Sequence, residues 1–263
     1  MPQISSHSCS DTRLQKELAV PLPIGRGKSR GARLVQELLR LHGINVVIDG
    51  DLGPATEAGL VKFCSAKGID HFDKVVTQQL MDELAQPLLR AAQPSAVAGT
   101  LGDTVAAAAR KHLSQHPVEI GGPNRGPWVR FYMSGSEGED YPWCAGFVSY
   151  VVKQASLAHG VPSPINRTFS CDSIGHEAKS KPGRFVKRIS PAEAPAGSVF
   201  LVPHNVNKND WVHTGIIVQS ETPGAGKVFC TIERNTNDEG SREGFEVCER
   251  YRPCSKVDVV LIE

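Results

Sequence analysis

Tyr141-Pro142-Trp143-Cys144-Ala145-Gly146-Phe147-Val148 is the stretch on which the reading of this chain turns. It predicts a cysteine in the first turn of a buried helix. Asp140 stands two residues ahead of Pro142, and proline suits an opening turn because its missing N–H would be unpaired there. From Ala145 the run Ala-Gly-Phe-Val-Ser-Tyr-Val-Val is too continuously apolar for an exposed helix. A helix start presents unpaired N–H groups and partial positive charge. Both favour a thiolate over a thiol, so a cysteine placed there can have its pKa drawn toward neutrality. The same stretch also reads as an ordinary core cysteine, one of the most buried residue types. What lies downstream decides between the two.

The 263 residues allow one or two domains, each with its own core. A net charge of +1 argues against an extended nucleic-acid surface or a polybasic membrane face. No run approaches the roughly 18 apolar residues of a membrane span, so no membrane insertion is expected. The N-terminal residues lack the charged and apolar regions of a signal peptide. The expectation is synthesis in the cytoplasm, with non-classical delivery to the periplasm or cell wall. Seven cysteines, at 9, 64, 144, 171, 230, 248 and 254, include no Cys-x-x-Cys pair. Zinc-ribbon and thioredoxin-like readings therefore have no support. Cys230 and Cys248 flank an expected hairpin and could bridge, but reduced, buried cysteines are the simpler reading.

Residues 1–29 read as an irregular lead-in. From Arg30 the positions Leu34, Val35, Leu38, Leu39 and Leu41 recur at helical spacing, and His42-Gly43 supplies a stop. A turn-rich loop, Asp49-Gly50-Asp51-Leu52-Gly53-Pro54, leads into a second helix through Thr56, Leu60 and Phe63. A third helix is expected over residues 77–89, with Leu80, Met81 and Leu84 inward. Asp49, Gly50, Gly53 and Thr56, with Leu60 and Phe63 after them, resemble the D-G-x-x-G-x-x-T loop of the peptidoglycan-binding domain family. The resemblance spans residues 30–90, with Cys64 where that family has Gln. It implies a small three-helix module that binds the cell wall through Asp49, Gly50, Asp51, Gly53 and Thr56. The alternative is a helical interaction module without glycan affinity.

Residues 91–102 read as a linker. Asp103 or Thr104 is expected to cap an Ala-rich helix reaching Gln115. Glu119 and Asn124 follow in a loop, where they either brace a turn or line the cleft beside Cys144. Residues 160–185 read as a long loop with at most one short helix. Beyond them, 197–202, 211–218, 227–233, 246–251 and 257–262 read as strands between turn clusters. A helical half followed by an antiparallel sheet is an α+β architecture.

A cysteine nucleophile needs a base and a group that orients the base. His213 lies inside a strand, where a sheet would hold its ring. A lone strand histidine is more often structural, but the next strand ends Glu233-Arg234-Asn235. Either Glu233 or Asn235 is placed to accept the second imidazole N–H. Tyr141–Val148, the stretch through Trp211-Val-His213, and Thr231–Gly244 together resemble the CHAP family of cysteine amidohydrolases and peptidases. That family is a branch of the papain-like, NlpC-type fold, and the match spans residues 103–263. The resemblance implies Cys144 as nucleophile, His213 as base, Glu233 as orienting acid and Asn235 as the fourth polar position. Trp143, Asp140, Tyr141, Trp211, Glu119 and Asn124 are the expected substrate-binding residues.

Together the two resemblances imply a peptidoglycan hydrolase, either an N-acetylmuramoyl-L-alanine amidase or a stem-peptide endopeptidase. An endolysin fits, as does an antibacterial type VI secretion effector with a cognate immunity protein. A wall-binding protein with an inactive hydrolase fold, or a hydrolase of another amide, are the alternatives. Neither metal nor organic cofactor is expected, and a monomer is.

Overall fold

The computed structural model describes residues 3–19, 28–69, 75–187, 193–207, 209–219, 228–234 and 244–262. Among them the helices are α1 (Thr12–Glu17), α2 (Arg30–Leu41), α3 (Pro54–Lys67), α4 (Gln78–Leu84), α5 (Gln86–Ala92), α6 (Leu101–Leu113), α7 (Pro127–Tyr132), α8 (Cys144–His159) and α9 (Cys171–Lys179). The strands are β1 (Phe185–Lys187), β2 (Val199–Pro203), β3 (Trp211–Gln219), β4 (Val228–Arg234), β5 (Val247–Pro253) and β6 (Asp258–Val260). The class is α+β. None of the described helices is long and apolar enough to cross a membrane.

The chain divides into two compact units, 1–93 with 118–138, and 94–117 with 139–263. In the first, Ser29 caps α2 through its side chain, and Leu34, Val35, Leu38 and Leu39 are buried as their spacing predicts. The helix expected over 77–89 is two, α4 and α5, meeting at Ala85. Pro87 accounts for the break: it cannot donate the N–H that a continuous helix would use there. The lead-in also contains α1, capped by Asp11.

Residues 118–138 belong to this unit, whereas the sequence places them after the linker. Arg130 of α7 supplies the reason. Its guanidinium donates to Glu17 (2.6 Å), Glu37 (2.6 Å) and Glu137 (2.8 Å). Burial alone would lower the Arg130 pKa, but the three carboxylates outweigh it and hold the charge firmly on. Glu137 also accepts from the Gly126 N–H at the start of α7, so one carboxylate binds both the entry to that short helix and a side chain of its last turn.

In the second unit α6 begins one turn earlier than expected. Thr100 is the cap, and Asp103 is its capping-box partner: each side chain accepts from the other's backbone N–H. Helix α8 starts at Cys144, with Trp143 rather than Pro142 at its edge, and ends in left-handed Gly160 (φ 67°). The sheet is antiparallel in the order β1-β6-β2-β3-β4-β5. Strand β1, three described residues paired with β6, is too short to carry a periodic signal. Helices α6 and α8 pack on β3 and β4, and α9 on β3. Phe200, Ile217, Phe229, Val257 and Val259 form an apolar cluster of the sheet. All seven cysteines are unbridged.

Candidate active site

Cys144 occupies the first position of α8, where Trp143 contributes no side-chain cap. His213 comes from β3 and Glu233 from β4. The register sets Gly215 opposite Glu233. Side chains two residues apart share a face of a strand, so His213 and Glu233 lie diagonally on one face. A Cβ on Gly215 would sit 2.6 Å from the Glu233 Cβ and 2.6 Å from Phe200. The absence of that carbon makes room for the diagonal contact. His213 Nε2–H donates to Glu233 Oε2 across 2.6 Å.

The carboxylate is held from its other side as well. Arg252 donates Nε–H to Oε1 (2.8 Å) and Nη2–H to Oε2 (2.5 Å), and the Thr231 hydroxyl donates to Oε1 (2.9 Å). Glu233 is fully buried. Burial would raise its pKa, but the hydrogen bonds from His213 and Arg252, with their charges, bring it down to about 2. It is therefore a carboxylate throughout the neutral range.

His213 also interacts with Cys144, and each shifts the other's pKa. Burial lowers the His213 pKa, yet the bonds to Cys144 and Glu233 and their charges leave it raised overall. The Cys144 pKa is held well below the usual thiol value, first by the hydrogen bond with Cys171. Burial opposes this; the His213 bond and the charges of His213 and Arg234 reinforce it. The Cys171 Sγ lies 3.7 Å from the Cys144 Sγ. Arg234 is buried, its guanidinium 5.3 Å from the centre of the Trp143 ring. The opposite holds for Cys9, Cys64 and Cys248, whose thiols burial pushes up, and for Cys230, pushed up to about 11. The centre thus favours a thiolate–imidazolium pair with a carboxylate behind it. Such a pair can attack a carbonyl and then deliver a proton.

The other expected site residues fall into different places. Asp140 and Tyr141 are exposed immediately ahead of Cys144. Trp143 and Trp211 are both buried. Trp143 is wholly buried. Trp211 donates its indole N–H to Asp258 (2.9 Å) and packs edge-on against His176 and Phe185. Glu119 and Asn124 lie in the first unit, where the Glu119 carboxylate accepts from the Asn124 N–H (2.8 Å), bracing a left-handed turn (φ 50°). Asn235 lies outside the described residues. In the 49–56 loop, the Gln36 amide donates to Asp49 (2.7 Å), the Asp51 carbonyl (2.8 Å) and Thr56 (3.0 Å), and accepts from the Gly50 N–H (2.8 Å). Asp49 and Thr56 thus hold the loop's own shape. Gly53 caps α3.

Sequence reasoning missed Cys171, Gly215, Arg234 and Arg252. Cys171 had a local signal, since Ser170-Cys171 opens a helix with a serine cap. A glycine inside a strand also signals close approach. Arg252 had none, because its partner is fixed by strand register. The first unit holds a cavity of about 860 Å³ beside Arg13, Arg33, Glu37 and Arg130. Among the described residues, no cysteine or histidine lines it. No family model, no curated protein and no solved structure matches the chain.

Proposed function

We propose that this chain is a cysteine peptidoglycan hydrolase of the CHAP type, with a papain-like catalytic domain and an N-terminal wall-binding module. One observation carries the reading: Cys144 at a helix start, His213 beside it, and Glu233 hydrogen-bonded to the imidazole Nε2. That is the nucleophile–base–orienter arrangement of covalent amide hydrolysis.

The Cys144 thiolate attacks the amide carbonyl carbon, and the oxyanion is stabilised by backbone N–H groups in the first turn of α8. His213 gives its proton to the departing amine. Water, deprotonated by His213, then adds to the acyl-enzyme carbonyl; the C–S bond breaks, the acid leaves, and the thiolate–imidazolium pair is restored. Glu233 keeps the imidazole in one tautomer and stabilises its charged form. The Asp49–Thr56 loop supports wall binding through its likeness to peptidoglycan-binding domains. A wall-binding module would raise the local concentration of the hydrolase on an insoluble polymer.

Digestion of purified peptidoglycan with wild type and Cys144→Ala, followed by mass spectrometry of the soluble fragments, tests this. Free stem peptides beginning at L-alanine identify an amidase, and muropeptides with shortened stems an endopeptidase. Intact polymer after treatment with the wild type overturns the hydrolase reading for that wall chemistry.

A further inference from the structure

Cys171 is the group at this centre that amide hydrolysis does not require. Its sulfur and that of Cys144 lie 3.7 Å apart, and each residue opens a helix. The approach of the two helix starts is held by other bonds. Arg167 donates to the Gly146 carbonyl (2.8 Å) and the Ser149 hydroxyl to the Thr168 carbonyl (2.8 Å). These tie the segment leading into α9 onto the first turns of α8. A disulfide needs a sulfur separation of about 2 Å, so a shift of under about 2 Å, within reach of side-chain rotation, closes the gap. Cys144 and Cys171 are 6% and 9% exposed.

We propose that Cys171 is a resolving cysteine, which captures peroxide-oxidised Cys144 as an intramolecular disulfide and so turns the nucleophile off reversibly. The Cys144 thiolate attacks one oxygen of hydrogen peroxide; the S–O bond forms and the O–O bond breaks. The departing hydroxide takes a proton from the His213 imidazolium and leaves as water. The Cys171 sulfur then attacks the Cys144 sulfur, the S–O bond breaks, and the released hydroxide takes the Cys171 proton as a second water. Together the thiols lose two electrons and two protons, and one peroxide becomes two waters. A dithiol reductant reverses the change by exchange and is itself oxidised to a disulfide. Without a resolving partner, the sulfenic acid on Cys144 is open to irreversible oxidation.

The loss of hydrolysis in this scheme rests on the proposed function; formation of the disulfide does not. The test treats the full chain with graded hydrogen peroxide, blocks free thiols with N-ethylmaleimide and maps peptides by mass spectrometry. Peptidoglycan digestion is followed before and after dithiothreitol. In wild type, loss of activity should track a linked Cys144–Cys171 peptide, and dithiothreitol should reverse both. In Cys171→Ala and Cys171→Ser, the same dose should carry Cys144 to sulfinic and sulfonic acids. Each variant should then recover a fraction of its own starting activity about tenfold smaller than wild type does. Wild type that yields sulfinic Cys144 without the linked peptide overturns the proposal, as do variants that recover as fully as wild type. A linked peptide in a chain that leaves the peptidoglycan intact supports the resolving chemistry and overturns the hydrolase reading for that wall chemistry.

Discussion

Gly215 pairs with Glu233 across β3 and β4, and its missing side chain leaves the space through which the carboxylate reaches His213. The contact is diagonal, between residues on one face of neighbouring strands, a separation that long side chains can bridge. Gly215→Ala puts a carbon 2.6 Å from the Glu233 Cβ and from Phe200. The strands must part or the carboxylate must turn away. The expected cost is about 1–3 kcal/mol of stability, read by denaturant unfolding, with a fall of at least about tenfold in kcat/KM. Wild-type stability in this variant would show that the space has no such role.

The charge state of the centre yields a pH prediction. Cys144 is held low and His213 high, so the thiolate–imidazolium pair exists between the two and is lost on either side. Glu233→Gln removes the charge that helps keep His213 protonated. The His213 pKa then falls, and the alkaline limb of the kcat/KM profile moves to lower pH. The Cys144 pKa rises as its imidazolium partner weakens, so the acid limb moves up. A narrowed bell, with roughly 10²-fold lower activity at its peak, is the expected profile. An unshifted alkaline limb would separate Glu233 from the titration of His213.

Thiol labelling tests the same electrostatics without a substrate. At about pH 6 a group with a pKa near that of Cys230, about 11, is thiolate in only about one molecule in 10⁵. Iodoacetamide should therefore mark Cys144 at least about tenfold faster than Cys9, Cys64, Cys230 or Cys248, as followed by peptide mass spectrometry. His213→Ala should slow the Cys144 reaction, because a hydrogen bond and a positive charge that favour the thiolate disappear. Equal labelling across the five would remove the case for an activated nucleophile.

The first unit depends on Arg130. Its side chain is 8% exposed and that of Glu37 only 1%. Arg130→Met strands a buried carboxylate, at an expected cost of about 3–5 kcal/mol. Fluorescence of Trp128, fully buried in the same unit, can follow the transition in denaturant. Adding Glu37→Gln to Arg130→Met should restore part of the loss by removing the stranded charge. If the double variant is no more stable than the single one, the cost lies in packing and not in charge.

Much of this could be read along the chain because it is local. Helix α8 with its cysteine, the strand around His213 and the strand ending at Glu233 follow from apolar periodicity and turn residues within a dozen positions. Partnerships across the chain had no such signature. Arg130 joins Glu17 and Glu37, and Arg252 joins Glu233, only after α7 has docked and β5 has taken its register. Trp143 and Trp211 look like cleft residues beside a cysteine and a histidine, but their burial is settled by what packs over them. Composition and periodicity act over one or two turns of chain, whereas ion pairing, close sulfur approach and ring burial depend on atoms brought together from distant segments. For that reason a cysteine at the start of a buried helix was legible from its own segment, and the approach of Cys171, the Arg252 pairing and the space at Gly215 emerged only from the fold.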